Sequence, residues 1–201
     1  MIRLLIADDQ ALVRGALSAL LGLEPDIEVV AEVGRGDEVV AAAIEARADV
    51  ALLDIEMPGM DGIAAAAALR SALPACRVLI VTTFGRPGYL ARAMRSGASG
   101  FVVKDTPAAQ LADAVRRVAQ GLRVVDPALA ADSLAQGASP LTERETDVLA
   151  AARTGGSIAD IAQMLHLSEG TVRNHLSSAI GKTEGRNRAD AARIADENGW
   201  L

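Results

Sequence analysis

The chain has 201 residues, enough for one large domain or two small ones, and a formal charge of −6 that excludes general affinity for nucleic acid and leaves any DNA binding to a local patch. Hydrophobic residues make up 51%, yet no apolar run reaches the ~20 residues needed to cross a bilayer, and the run in MIRLLIADDQ stops at two aspartates, too early for a signal peptide. Cys76 stands alone, and neither His166 nor His175 has acidic or thiol partners at ligand spacing; this excludes a disulfide framework and a cysteine or histidine metal cluster, and points to the reducing cytoplasm without membrane insertion.

Along the first 121 residues two periods alternate. Apolar, β-rich runs occur at 2–6, 27–33, 50–53, 77–81 and 100–103, and helical patterns at 11–23, 37–47, 61–72, 86–96 and 107–120. Strands alternating with helices imply βαβ units and a parallel sheet. Runs such as LLI and LIV do not alternate, as expected of strands covered on both faces. Right-handed crossovers then give an α/β domain, a doubly wound five-stranded parallel sheet. The next segment, 122–138, is rich in Gly, Pro, Ala and Ser and reads as a linker, with a short helix around Pro127 to Leu134. Residues 139–201 read as a small all-α domain with helices at 142–153, 157–166, 168–182 and 187–198. Thr142 with Glu145, and less fully Ser168 with Thr171, have capping-box spacing.

The stretch LLDIEMPGMDG places Asp54 directly after an apolar strand, a poor position for a core residue. In a doubly wound sheet of order 2-1-3-4-5, ligands bind beyond the carboxyl ends of strands 1 and 3. Asp8 and Asp9 follow strand 1 and Asp54 ends strand 3, so three carboxylates converge there. Their repulsion is relieved by a hard divalent cation such as Mg²⁺, which takes one or two carboxylates plus water and phosphate oxygens. Thr82 follows strand 4 and Lys104 follows strand 5, a hydroxyl and an ammonium suited to phosphate. The chemistry is phosphoryl transfer to a carboxylate, with Asp54 as nucleophile. Pro58 and Gly59 shape the following loop, and Asp61 caps the next helix.

With IADDQ, LLDIEMPGMDG, VTTF and GASGFVVKD in place, residues 1–121 resemble the flavodoxin-like receiver domain of bacterial two-component response regulators. The resemblance implies that Asp54 takes phosphate from a sensor histidine kinase. It implies Asp8, Asp9 and Asp54 as Mg²⁺ ligands with the backbone carbonyl of Glu56, and Thr82 and Phe101 as a switch pair. Phe101 read alone is a core aromatic. Asp105 stands where many receivers have proline. The stretch TTFGRPGY also resembles regulators of membrane-lipid desaturation genes.

In the tail, IADIAQML followed by HLSEGTVRNHL is a helix-turn-helix pattern. Ile158, Ile161, Ala162, Leu165, Leu167, Val172, Leu176 and Ile180 supply its apolar face. Thr171, Arg173, Asn174, Ser177 and Ser178 point outward. Arg can read guanine and Asn adenine in a major groove, and Ser168 at a helix start can hold a phosphate. Patterning alone also fits an ordinary solvated face. The motifs LTxRExxVL, IAxxLxxSxGTVRxH and NRADA are similar to the LuxR-type DNA-binding domain over 139–198, and the whole arrangement to the NarL/FixJ group. That similarity implies that Thr171, Arg173, Asn174 and Ser177 meet bases or phosphates of double-stranded DNA, with Lys182 and Arg188 near its backbone. RNA polymerase is a further partner open to such a regulator. Where relatives usually read K-L-G-V-x-N-R, this chain has Lys182, Thr183, Glu184, Gly185, Arg186, Asn187 and Arg188. Thr183 cannot fill the volume of the leucine that helps seat the last helix, and Glu184 adds charge near the DNA side.

One small helix-turn-helix buries little DNA, so two copies on adjacent half-sites are expected, with phosphorylation promoting a homodimer. Candidate faces are the first helix (Leu12, Val13, Ala16, Leu20) and the fifth (Leu111, Val115, Val118). Two other classes compete. A haloacid-dehalogenase-type phosphohydrolase would carry D-x-D-x-T/V, which Asp54-Ile55-Glu56-Met57 does not match, and no cap domain is present. A receiver serving only as an interaction module would not need all five polar residues. The reading is a regulator, not an enzyme.

Overall fold

The computed structural model describes residues 1–83, 87–136, 139–153 and 155–201. Of the stretch TTFGRPGY, Phe84, Gly85 and Arg86 lie outside the described residues. The chain divides into two compact units, Met1–Gly85 with Leu90–Ala131 and Arg86–Tyr89 with Asp132–Leu201.

The first unit is the parallel α/β sheet. Its strands are β1 (Ile2–Ala7), β2 (Ile27–Val33), β3 (Val50–Leu53), β4 (Arg77–Thr82), β5 (Gly100–Val103) and β6 (Val124–Val125), in spatial order β2-β1-β3-β4-β5-β6. Helices α1 (Ala11–Leu21), α2 (Val39–Glu45), α3 (Gly62–Ala72), α4 (Pro87–Ser96) and α5 (Ala108–Ala119) connect the strands. The central strand β3 is buried at all four positions, as its unbroken apolar run requires. Leu4, Ile6, Val50, Leu52, Leu79, Val81 and Val102 share a core with Leu111, Val115 and Val118 of α5.

Two expectations change. The sheet has six strands, not five: Val124 and Val125, within the expected linker, pair in register with Gly100 and Phe101. Two β-branched residues suffice to extend an edge, and Val124 joins the core. Second, Leu111, Val115 and Val118 are 4%, 0% and 0% exposed, so the α5 residues named for docking face the sheet instead. The expected short helix is present as α6 (Pro127–Gln136), capped by Asp126 Oδ1 on the Ala128 and Leu129 amides.

The second unit packs α7 (Glu143–Arg153), α8 (Ile158–Leu165), α9 (Glu169–Thr183) and α10 (Arg188–Glu197) around Val148, Leu149, Ile161, Val172, Ala179, Ala191 and Ala195. The turn after α9 solves the problem posed by Thr183. Its hydroxyl donates to its own helix, at 2.8 Å to the Ala179 carbonyl and 3.2 Å to Ile180, and α10 presents alanines to the core. Glu184 takes a left-handed conformation at φ 56°, and a Cβ on Gly185 would lie 2.8 Å from Ala191 backbone atoms. Among the described residues no helix is long and apolar enough to cross a membrane.

The β3–α3 loop ends on a glycine that packs against its own start. A Cβ on Gly62 would lie 1.8 Å from the Asp54 carbonyl oxygen, while the Gly62 amide donates to Ile55 O at 2.9 Å. Gly62→Ala is expected to destabilise the first unit by about 1–3 kcal/mol, the usual cost of forcing atoms into packed space. Urea denaturation checks this, and an unchanged midpoint would contradict the close approach.

Candidate functional site

The sheet topology carries the acid cluster to one crevice. Asp8 follows β1, and its backbone N–H donates to Val33 O. Asp54 follows β3 and donates its N–H to Ala7 O at 2.8 Å, which fixes the two strand ends side by side. Asp8 is 1% exposed and Asp54 4%, whereas Asp9 is exposed at the rim. One carboxylate oxygen from each of Asp8, Asp9 and Asp54 lies within 4.8 Å of the others, so they can share a cation. Glu56 is exposed on the loop directly after Asp54. Lys104 Nζ enters from β5, 2.8 Å from Asp8 Oδ2 and 3.1 Å from Asp54 Oδ2. Both are salt-bridge distances, and the buried ammonium has three N–H donors for these two carboxylates. Thr82 ends β4, 5% exposed. Phe101 is fully buried on β5, in register with Ile80 of β4, while Thr82 pairs with Val103.

Burial pushes the Asp54 carboxyl above its ordinary value, and Lys104 pulls it back only in part. Burial alone would lower the Lys104 ammonium, but Asp8 and Asp54 outweigh it and hold its pKa above the usual lysine value. Asp54 Oδ1 is tied down by the Ile55 amide at 2.8 Å. Its Oδ2 lies 3.1 Å from the lysine ammonium and faces the crevice shared with Asp8 and Asp9. Three carboxylates with one cation leave a net negative pocket, a donor set of hard oxygens that suits Mg²⁺. The loop beyond is held as expected, with Asp61 Oδ1 capping α3 at the Ala64 amide, 2.7 Å away.

In the helical unit, Arg173, Asn174 and Ser177 are exposed on one face of α9 at helical spacing. Ser168 caps α9 by accepting from the Thr171 amide at 3.1 Å, and the two hydroxyls lie 2.8 Å apart. Arg173 is paired with Glu169 at 2.8 Å, but both are more than half exposed, so the pair is weak and exchangeable. Two expected backbone contacts are otherwise engaged. Lys182 Nζ lies 2.7 Å from Glu145 Oε2, and Arg188 Nη1 donates to Gly156 O at 3.1 Å.

Several functional partners escaped sequence reasoning. Glu145 was read only as a capping residue, and that box is present: the Thr142 amide donates to its Oε2 at 2.7 Å and Thr142 Oγ1 accepts from its amide at 3.3 Å. The same carboxylate also accepts from Ser178 Oγ at 2.6 Å and from Lys182, so it bolts α7 to α9. An acid at a buried helix start with a lysine and a serine at i and i+4 on a later helix is a signal that could have found it. A full capping box at Ser157 and Asp160 was also missed.

Two family descriptions match the chain: the response regulator receiver domain over residues 4–116 and the bacterial regulatory proteins of the luxR family over residues 139–195. The chain is 43% identical over 201 residues to transcriptional regulatory protein YvfU and 42% identical over 201 residues to transcriptional regulatory protein DesR, both of Bacillus subtilis strain 168, with 100% of each chain covered in both cases. Among solved structures, response regulator ChrA of a heme-sensing two-component system is 34% identical, with a TM-score of 0.59 over 100% of this chain and 98% of its own.

The Glu145 network gives a pH-dependent prediction. Burial would raise this carboxyl, but Lys182, Ser178 and Thr142 overcome it and bring it down to about 2. A carboxyl lowered on folding adds stability that is full above its ordinary value of 4.5 and lost as pH falls toward about 2. Trp200, the only tryptophan, packs on this core and reports on it. Glu145→Gln is expected to cost about 1–3 kcal/mol at neutral pH and to flatten the acid dependence of stability within that window. Trp200 fluorescence during urea unfolding at a series of pH values checks this; a parallel pH dependence in the two proteins would contradict it.

Proposed function

We propose a function from one premise: the chain belongs to the DNA-binding two-component response regulators of the LuxR family. On that premise Asp54 is the phosphoacceptor. Its Oδ2 attacks the phosphorus of a phosphohistidine on a sensor histidine kinase; the O–P bond forms, the N–P bond breaks, and the imidazole leaves with the bonding pair. Lys104 turns its spare donors from the carboxylates to the incoming phosphoryl oxygens, and the Thr82 hydroxyl meets another. Asp8, Asp9, Asp54 and the Glu56 carbonyl would hold Mg²⁺, which supplies charge neutralisation for the phosphoryl group. The observation that carries this reading is the buried Lys104 ammonium set between Asp8 and Asp54 beside a third carboxylate, Asp9.

Phosphorylation adds ~1.5–2 negative charges to the crevice, and Thr82 with Phe101 serves as the switch pair. The boundaries that go with this reading are a receiver at 1–121, a linker at 122–138 that pairs back onto the sheet through β6, and a DNA-binding domain at 139–201. Dimerisation uses the outer face of α1. Leu12 and Leu20, 86% and 46% exposed, line up with exposed Ala16 and with Leu23 at 80%, a stripe that two copies can bury. In the dimer two α9 helices read adjacent half-sites through Arg173, Asn174 and Ser177, with Ser168 and Thr171 at phosphates. Lys182 and Arg188 act mainly by holding α9 and α10 in place. The protein is a cytoplasmic regulator that turns over no free phosphoester.

Incubation of the full chain with Mg²⁺ and a small phosphodonor is expected to add one phosphoryl mass, absent from Asp54→Ala. Label persisting in that variant would overturn the assignment. Sedimentation of the same samples should show dimer only after phosphorylation; rising DNA affinity at constant mass would instead favour release of the tail from an inhibitory contact.

Arg173→Ala is expected to weaken binding to a DNA site selected by the chain by ~1–3 kcal/mol, the worth of a bidentate base contact, and binding to random DNA by less. Equal losses on both would make Arg173 a phosphate contact, and no loss would place the reading face elsewhere.

A further inference from the structure

We infer that Arg14 couples the acid crevice directly to α1, so that filling the crevice re-sets that helix through Asp8; this rests on the phosphorylation reading above and gives it a route to the docking face that bypasses Thr82 and Phe101. Gln10, which precedes α1, makes no side-chain cap, but its N–H donates to Asp8 Oδ1 at 2.9 Å. One turn on, Arg14 Nη1 donates to the Asp8 backbone carbonyl, and the Arg14 amide donates to Gln10 O at 2.9 Å. The first turn of α1 is therefore registered on Asp8 twice, through its carboxylate and through its backbone. The remaining carboxylate oxygen, Oδ2, is the one 2.8 Å from Lys104.

The guanidinium is closely housed. A Cβ on Gly34 would lie 3.3 Å from Arg14 Nη1 and 4.0 Å from the Asp8 carbonyl oxygen. Arg14 Nε lies 3.9 Å from Glu32 Oε2, and Ser18 Oγ donates to Glu32 Oε1 at 2.7 Å, so the helix is also tied to β2. The same helix carries the exposed Leu12 and Leu20 on its outer side. When Lys104 turns to a phosphoryl oxygen and a cation engages the Asp8 carboxylate, Oδ2 loses its partner and Oδ1 is re-aimed. The Gln10 amide must follow Oδ1. Arg14, gripping the carbonyl of the same residue, makes the first turn move with Asp8 as one piece, and packed elements shift between discrete arrangements instead of deforming gradually. Arg14 touches neither the reacting oxygen nor the phosphoryl group; it is a positioning residue.

The test is amide hydrogen exchange across residues 10–21 of the full chain in Mg²⁺, with and without a small phosphodonor, alongside the phosphoryl mass. In wild type, exchange in the first turn of α1 should change several-fold on phosphorylation. Arg14→Met should take up the phosphoryl group as wild type does and lose that change. Gly34→Val, which crowds the guanidinium from β2 without altering α1, should do the same and decides the matter if Arg14→Met does not fold. Ser18→Ala, which removes only the hydroxyl bond to Glu32 and leaves Arg14 in place, should keep the response. A wild-type response in Arg14→Met or Gly34→Val overturns the inference. Wild-type protein that is phosphorylated and dimerises with α1 exchange unchanged also overturns it, and leaves the phosphorylation reading standing. Wild-type protein that gains no phosphoryl mass defeats that reading itself, and this inference with it.

Discussion

The first unit is organised around one buried cation among carboxylates. Lys104, 12% exposed at its side chain, reaches from the end of β5 to Asp8 and Asp54 at the ends of β1 and β3. Without it two buried acids would face each other across neighbouring strand ends, where like charges repel strongly and one would hold a proton. With it, the crevice is closed but not satisfied: three carboxylates still outnumber one ammonium. A site left short of positive charge suits a hard cation, and a lysine at its edge suits an anion with several oxygens, the pairing on which the proposed phosphoryl transfer rests.

The two units use the same chemistry for opposite ends. Glu145 and Lys182 also form a carboxylate–lysine pair, but Glu145 collects additional donors from Thr142 and Ser178, and its pKa falls to about 2. Asp54 receives one backbone donor and shares its lysine with Asp8, and burial prevails to raise it. The donor count separates them. A fully satisfied carboxylate locks α7 on α9 and presents Arg173, Asn174 and Ser177 as a fixed face. An under-satisfied one stays open to reaction. Lys182 is part of that lock, its ammonium 2.7 Å from the buried Glu145 carboxylate.

Much of the fold was legible in the chain itself, because its signals are local. The apolar strand runs and the helix periods place every major element of the sheet, and Asp61 and Thr142 announce the caps they make. The convergence of Asp8, Asp54 and Lys104 followed from topology, since parallel strands end on the same side. What was not legible depends on packing across elements. Nothing in VV at 124–125 distinguishes an edge strand from a linker until β5 is beside it. The i, i+4 pattern of α5 marks an apolar face without saying whether sheet or partner covers it, and Leu111, Val115 and Val118 proved to face the sheet. Arg14 and Glu145 look like ordinary polar helix residues; only the fold shows that one reaches the backbone of Asp8 and the other binds a helix 33 residues away.

If Asp8, Asp9 and Asp54 form one cation site, its ligands include the exposed Asp9. Calorimetric titration of the full chain with Mg²⁺, beside Asp9→Asn, tests it most directly, since Asp9 lies at the rim and its loss leaves the buried Lys104 pairs intact. Saturable binding of one Mg²⁺ per chain is expected, weakened by about tenfold or more in the variant, the scale on which even outer partners of a metal site act. No saturable binding by the wild-type chain, or equal affinity in the two proteins, would contradict it.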